Sequence, residues 1–162
     1  MARRVFFSFH YERDAWRAGQ VRNAWLTQDR ESAGFWDAAA WEEVKRKGEE
    51  SVHRWIDYQL NGTSVTVVLI GAETATRPYV GYEIKQSYSR GNGILGVYIQ
   101  NLKDSNGRPD TMGGNPLSNW HIEQNGQKVL LSSIYPSYDW VSNNGRANFA
   151  AWIEAAAKKA GR

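Results

Sequence analysis

The residues with the clearest chemical potential are an aromatic ring and a carboxylate four positions apart. Tyr79 and Glu83 stand in a helix-forming segment that follows a long apolar run, and residues i and i+4 of a helix share one face. A ring there can stack on a flat ligand, and a carboxylate can stabilise positive charge that develops beside it. The same spacing also occurs on solvated helix faces, so the elements around the pair must decide between the two interpretations.

Other catalytic chemistries lack the residues that they need. The chain has no cysteine, which excludes disulfides, thiol catalysis and thiolate metal sites. Its histidines, His10, His53 and His121, lie far apart and without metal-ligand spacing, and His53 is expected on a helix surface. The sequence contains no glycine-rich dinucleotide motif, phosphate-binding loop or serine-hydrolase elbow. The carboxylate is therefore the main candidate, and we expect neither a metal nor a resident cofactor.

The elements that position this pair follow from the hydrophobic pattern. Short apolar runs predict buried strands, and apolar residues at helical spacing predict helices. The predicted strands are 5–9, 33–36, 64–70, 94–99 and a last one near 129–131. The predicted helices are 15–27 after a polar loop over 10–14, a short helix within 38–47, 49–60, 79–90 and a final helix around 149–156. This alternation predicts an α/β fold, a flavodoxin-like open parallel sheet with helices on both faces.

Ligands of such sheets bind beyond the carboxyl ends of the strands. That edge is predicted to hold 9–11, 36–37, 71–73 and 100–101. The helix predicted over 79–90 begins shortly after the central strand, which brings Tyr79 and Glu83 to the same edge. The segment 104–127 is polar and too long for an ordinary connection, so we expect either a functional insertion or a partly mobile loop.

Length and composition restrict the class of protein. A chain of 162 residues with 41% hydrophobic and 23% charged residues suits one domain over 1–162. A net charge of +3 without a basic, aromatic-rich stripe argues against a nucleic-acid partner. We see neither a membrane span nor a signal peptide, which predicts a cytoplasmic protein without a membrane partner. Most of the eight tryptophans are expected in the core, and some of them against a ligand.

Several motifs, taken in order, resemble TIR domains. The segment 4–11 resembles their opening strand, 34–37 the second strand with the Asp after it, and 64–70 the central strand. Tyr79-x-x-x-Glu83 resembles the W-x-x-x-E element of NAD-cleaving TIR domains, with Tyr in place of Trp. The combination of Phe-Phe-Ser-Phe-His-Tyr, Pro-Tyr-Val-Gly-Tyr-Glu-Ile and Ile-Leu-Gly-Val-Tyr-Ile is most similar to the TIR-like ThsB proteins of the bacterial Thoeris antiphage system. The resemblance covers about 3–103 and 132–152.

The resemblance implies an enzyme of the NAD+ glycohydrolase or ADP-ribosyl cyclase type. Such proteins break the bond between nicotinamide and ribose in NAD+ and release an ADP-ribose-derived signal, here expected to be a cyclic ADP-ribose isomer. NAD+ would be the substrate, and the signal would activate a partner effector as a diffusible nucleotide. A homo-oligomer or a phage-derived trigger is a further expected partner.

Carried over position by position, the resemblance makes Glu83 the catalytic carboxylate and Tyr79 the aromatic residue of the same element. The residues that fall near nucleotide-bordering positions of the family are Ser8, Phe9, His10 and Asp37. Gly81, unusual inside a helix because glycine costs about 1 kcal/mol relative to alanine, would let a ligand or a partner chain come close.

Two alternatives stay open from the sequence. A TIR-like interaction or scaffold module would act by self-association and would need no carboxylate facing a nucleotide-sized cavity. A phosphoacceptor receiver domain shares the strand order, but it needs an acidic cluster after the first strand, where His10 and Tyr11 stand.

Overall fold

The computed structural model describes residues 3–26, 31–33 and 38–162. The strands are β1 (Arg4–Ser8), β2 (Glu31–Ala33), β3 (Val65–Ile70), β4 (Gly93–Tyr98), β5 (His121–Gln124), β6 (Gln127–Leu130) and β7 (Ser137–Asp139). The helices are α1 (Tyr11–Leu26), α2 (Ala38–Arg46), α3 (Glu49–Leu60), α4 (Pro78–Ser89), α5 (Leu131–Ile134) and α6 (Gly145–Lys159). Short 3-10 turns occupy Thr74–Thr76 and Pro116–Asn119.

Five strands form one parallel sheet in the order β2-β1-β3-β4-β7. The chain leaves β1 toward β2 on one side and then crosses to β3 on the other. The carboxyl ends of β1 and β3 therefore flank the point where the strand order reverses, which is the usual ligand position in such sheets. The predicted α/β fold class, a TIR-like parallel sheet, is confirmed.

Alternating side chains of the strands pack against different helices. On one face Phe7, Val67 and Leu95 join α1 and α6, with Trp25 and Phe149 in the same cluster. On the other face β1 contributes Phe6 to a cluster with α2 and α3, while β3 contributes Val68 and Ile70 to a cluster with α4. Since successive strand residues point to opposite faces, Ser8 shares the face of Phe6, where α4 lies. The helices therefore cover both faces, as predicted.

Two predictions near the first two strands are wrong or lie outside the described residues. The segment 10–14 was expected to be a loop, but α1 begins at Tyr11, and the carbonyl of His10 accepts the Asp14 amide at 2.8 Å. The second strand was expected over 33–36, whereas β2 covers Glu31–Ala33. Residues 34–37 lie outside the described residues.

The last strand of the sheet is not the one that the apolar pattern favours. The run near 129–131 falls in β6, which pairs antiparallel with β5 in a separate two-stranded hairpin. The fifth sheet strand is instead the polar β7, whose Ser137 pairs with Gly96 of β4. A side chain at Gly96 would lie 2.7 Å from the Ser137 hydroxyl oxygen, so the missing side chain allows β7 to dock.

The segment 104–127 packs closely against the carboxyl edge of the sheet. Asp110 accepts a hydrogen bond from Arg13 at 2.6 Å and lies 3.6 Å from Arg17, both on α1. Gly113 lies against the backbone carbonyls that follow β3, where an added Cβ would come within 2.2 Å of the Gly71 oxygen. Asn119 donates to the carbonyl of Ala75 at 2.9 Å. These contacts hold the segment beside the start of α4.

Within the described ranges, none of the helices combines the length and apolar character needed to cross a membrane.

Candidate active site

Glu83 lies at the carboxyl edge of the sheet, on the side of α4 that faces β1. Pro78 opens α4 at its first position, where a missing N–H costs nothing. Val80 and Ile84 anchor the helix in the core beside β3. This packing turns Glu83 inward, where it is 5% exposed. The hydroxyl of Ser8, at the end of β1, donates to Glu83 Oε1 at 2.8 Å, so two sequence-predicted residues 75 positions apart meet directly.

Burial raises the pKa of Glu83 from its ordinary 4.5 to about 8. The hydrogen bond from Ser8 opposes that rise, because a donated proton stabilises the ionised carboxylate. The acid is therefore mostly neutral near pH 7. A cation placed beside it would favour ionisation and lower the pKa again. A carboxyl group poised in this way is typical of a catalytic group rather than of a solvated helix face.

A cavity of about 80 Å³ lies beside Glu83, and we call it the inner cavity. Phe9, His10, Tyr79 and Glu83 all line it. Four of the six sequence-predicted site residues thus surround one space. A fifth, Ser8, does not line the cavity but donates a hydrogen bond to Glu83. The sixth, Asp37, lies outside the described residues.

Trp41 of α2 is a residue of this cavity that sequence reasoning missed. Its ring packs edge-on against Tyr79, with centroids 5.7 Å apart and planes at 88°, and it also contacts Tyr11 at 5.6 Å. The indole N–H donates to Glu12 at 3.4 Å, and Glu12 in turn pairs with Lys45 at 3.0 Å. The only available signal was the high tryptophan content, which does not say which ring faces a ligand.

Arg77 is the second residue that the sequence did not single out. It immediately precedes α4, lines the inner cavity and is exposed. His10 is buried, and burial together with the positive charge of Arg77 lowers its pKa from 6.5. A neutral imidazole and a cation therefore line the inner cavity together with the carboxyl group of Glu83. A cation there suits a ligand that carries phosphate.

Comparison with known proteins identifies the family of this chain. A family model described as "Thoeris protein ThsB, TIR-like domain" matches residues 6–104. A protein of Bacillus cereus (strain MSX-D12), named "Putative cyclic ADP-D-ribose synthase ThsB1", is 35% identical over 191 aligned residues, which cover 94% of this chain and 100% of that protein. The family match begins within β1, contains α4 and the residues that line the inner cavity, and ends where the segment 104–127 begins. The predicted family is confirmed: the chain belongs to the Thoeris ThsB family and carries its TIR-like domain.

Proposed function

We propose that this protein cleaves the nicotinamide–ribose bond of NAD+ and turns the remaining ADP-ribose into a cyclic signal nucleotide. The observation that carries the proposal is the desolvated carboxyl of Glu83, held by Ser8 and surrounded by aromatic side chains at the ligand edge of the sheet. The name of the Bacillus cereus relative, a cyclic ADP-D-ribose synthase, supports the same reaction class.

The nicotinamide of NAD+ is a good leaving group because it departs from a pyridinium. The C1–N bond breaks, the electron pair goes to the ring nitrogen, and nicotinamide leaves neutral without needing a proton. Positive charge then develops on the ribose, and the ionised Glu83 stabilises it. The cationic substrate itself favours that ionisation, since a nearby positive charge lowers the pKa of a carboxyl group. Desolvation strengthens the interaction relative to one in water.

The second half of the reaction requires a nucleophile from the same molecule. A nitrogen of the adenine or a ribose hydroxyl attacks C1 and forms the new bond, and any proton that it loses can pass to the Glu83 carboxylate or to solvent. Water attacking instead would give linear ADP-ribose. The packed rings of Tyr79 and Trp41 limit the space for water, which favours the intramolecular reaction.

In this proposal the product acts as a diffusible signal for a partner effector in antiphage defence. No resident cofactor or metal takes part, since the substrate supplies its own leaving group. Restriction of turnover to infected cells would come from a phage-derived trigger or from assembly of several copies.

The test is nicotinamide release from NAD+, followed by chromatography with mass detection, for wild type, Glu83→Gln and Glu123→Gln. Glu123 is exposed on the hairpin strand β5, so it controls for the loss of one carboxylate. Wild type and Glu123→Gln are expected to release nicotinamide and a cyclic product, while Glu83→Gln is expected to lose at least about a thousandfold in rate, on the order of one strong electrostatic contribution.

Undiminished release by Glu83→Gln would contradict the catalytic role. Where all three proteins are silent alone, the assay is repeated with lysate from phage-infected cells. Continued silence there would favour the alternative, a TIR-like interaction or scaffold module.

A further inference from the structure

A second cavity lies on the opposite side of α4, and we call it the outer cavity. It measures about 430 Å³ and opens between α3, α4 and the turn 116–120. Trp120 forms one wall. Its indole ring lies over Gly81, where an added Cβ would be 3.6 Å from the ring atom Cζ2. The indole of Trp120, in the segment 104–127, therefore packs within van der Waals reach of α4 at Gly81.

A pair of stacked rings forms another wall of the outer cavity. His53 and Tyr82 lie parallel, with centroids 3.8 Å apart and planes at 2°. The Tyr82 hydroxyl donates to both carboxylate oxygens of Asp57, at 2.9 and 3.0 Å, which fixes the ring, while His53 lies 3.7 Å from Glu49 at the rim. His53 lies on the surface of α3, as expected, with its side chain 30% exposed, and its ring also packs on Tyr82. Aromatic walls of this kind suit a flat base.

Two cations line the outer cavity without an acidic partner among the residues that the structure describes. Arg77 precedes α4, and Lys85 lies two turns further along the helix. Both are exposed. Their charge is therefore available to an anion, and together with the aromatic walls it indicates a ligand with a ring and phosphate groups.

The two cavities meet at the start of α4, because Arg77 and Pro78 line both of them. At about 80 Å³ the inner cavity can hold only a small part of a dinucleotide. When the nicotinamide end of the substrate reaches Glu83, the rest of the molecule must extend past the rim of the inner cavity. The outer cavity is the space that adjoins this rim. Arg77 lines both cavities, so its positive charge is near the place where the central diphosphate of such a ligand would lie.

We infer that the outer cavity holds the adenosine diphosphate half of NAD+. The base lies against Trp120 and the stacked pair of His53 and Tyr82, Arg77 binds the diphosphate at the shared rim, and Lys85 contributes positive charge further along the helix. This inference rests on the proposed function and extends it, because it gives the segment 104–127 a role: that segment supplies the wall that carries Trp120.

Binding of ADP is the direct test, since ADP contains only the half of the substrate that the outer cavity would hold. Isothermal titration measures ADP affinity in the Glu83→Gln protein, in which no turnover interferes. The same protein is then tested with Trp120→Ala or with Arg77→Ala as a second substitution. Matched controls are Trp16→Ala on α1, whose ring is 62% exposed, and Arg146→Ala, which is exposed on α6. Thermal melting of every variant establishes that it is folded.

The expected result is a loss of at least about tenfold in ADP affinity for Trp120→Ala, because one base–aromatic stack carries that much, and a similar loss for Arg77→Ala. Trp120→Phe keeps a ring and should therefore retain most of the ADP affinity. It can be measured even if Trp120→Ala fails to fold. NAD+ should displace ADP from Glu83→Gln competitively. Unchanged ADP affinity in Arg77→Ala or in a folded Trp120→Ala, no ADP binding at all, or simultaneous binding of ADP and NAD+ would overturn the inference.

These outcomes are separable from failure of the proposed function. If wild type releases no nicotinamide under any condition but ADP binding depends on Trp120 and Arg77 and is displaced by NAD+, the nucleotide site stands and the catalytic proposal fails. If nicotinamide is released but ADP binding ignores both residues, the catalytic proposal stands and the outer cavity is not part of the site.

Discussion

The two sides of α4 differ in how much water they exclude. The inner side presents Glu83, which is only 5% exposed, to a cavity of about 80 Å³. The outer side presents Tyr82 and Lys85 to an open cavity of about 430 Å³. Desolvation raises the pKa of a carboxyl group and strengthens its field, whereas exposed cations stay hydrated until they meet an incoming phosphate. In our proposals, the inner face of this helix carries the reaction and its outer face binds the rest of the substrate.

The largest expected effect concerns the stability cost of the buried acid. Glu83 titrates near pH 8 in the folded protein against 4.5 ordinarily, so between these values the unfolded state has lost a proton that the folded state retains. The free energy of unfolding then falls as pH rises from about 4.5 to 8. Because each pKa unit corresponds to about 1.4 kcal/mol, the fall is on the order of a few kcal/mol.

Glu83→Gln removes this dependence, so its stability relative to wild type should increase steadily over that pH range. Denaturant unfolding of both proteins at several pH values measures the difference. Glu123→Gln, which changes an exposed carboxylate, should follow wild type throughout. A constant difference between Glu83→Gln and wild type would mean that Glu83 titrates normally and that the inner side is not desolvated.

A second prediction concerns the hydroxyl that faces the acid. Ser8→Ala removes the donor that favours the ionised carboxylate, so the pKa of Glu83 should rise further. If the ionised form is required, the rising limb of the pH–rate profile for nicotinamide release moves to higher pH. The matched control is Ser87→Ala on α4, the helix that carries Glu83. The buried hydroxyl of Ser87 forms a hydrogen bond with the hydroxyl of Thr66 at 2.7 Å and not with Glu83. Equal profiles for the two variants would remove Ser8 from the proposed mechanism.

The smallest effect is expected on the outer side. Tyr82→Phe loses the hydrogen bond to Asp57 but keeps the ring that stacks on His53. Burial and Asp57 raise the pKa of Tyr82 to about 12, so no charge is lost near pH 7. ADP affinity should change by less than about twofold, and stability by about 1 kcal/mol at most. A large loss of ADP affinity would assign the recognition to the hydroxyl rather than to the ring.

The sequence predicted the sheet best where local pattern and tertiary environment agree. The predicted strands 64–70 and 94–99 lie within one residue of β3 and β4, because strands buried on both faces must be continuously apolar. The prediction from sequence failed for the last strand of the sheet, β7, because its segment Ser137-Tyr138-Asp139 is short and polar. That segment pairs with β4 beside Gly96, where a side chain would crowd Ser137, and a contact between distant residues leaves no local pattern.

By itself, the sequence determined that Tyr79 and Glu83 share a helix face and that this helix follows the central strand, since both depend on spacing along the chain. The tertiary structure decided what that face does. Ser8 meets Glu83, Trp41 packs on Tyr79, and Trp120 of the insertion lies over Gly81. Desolvation of a carboxyl group, and hence its pKa, depends on which distant elements pack around it, and no spacing within one helix encodes that.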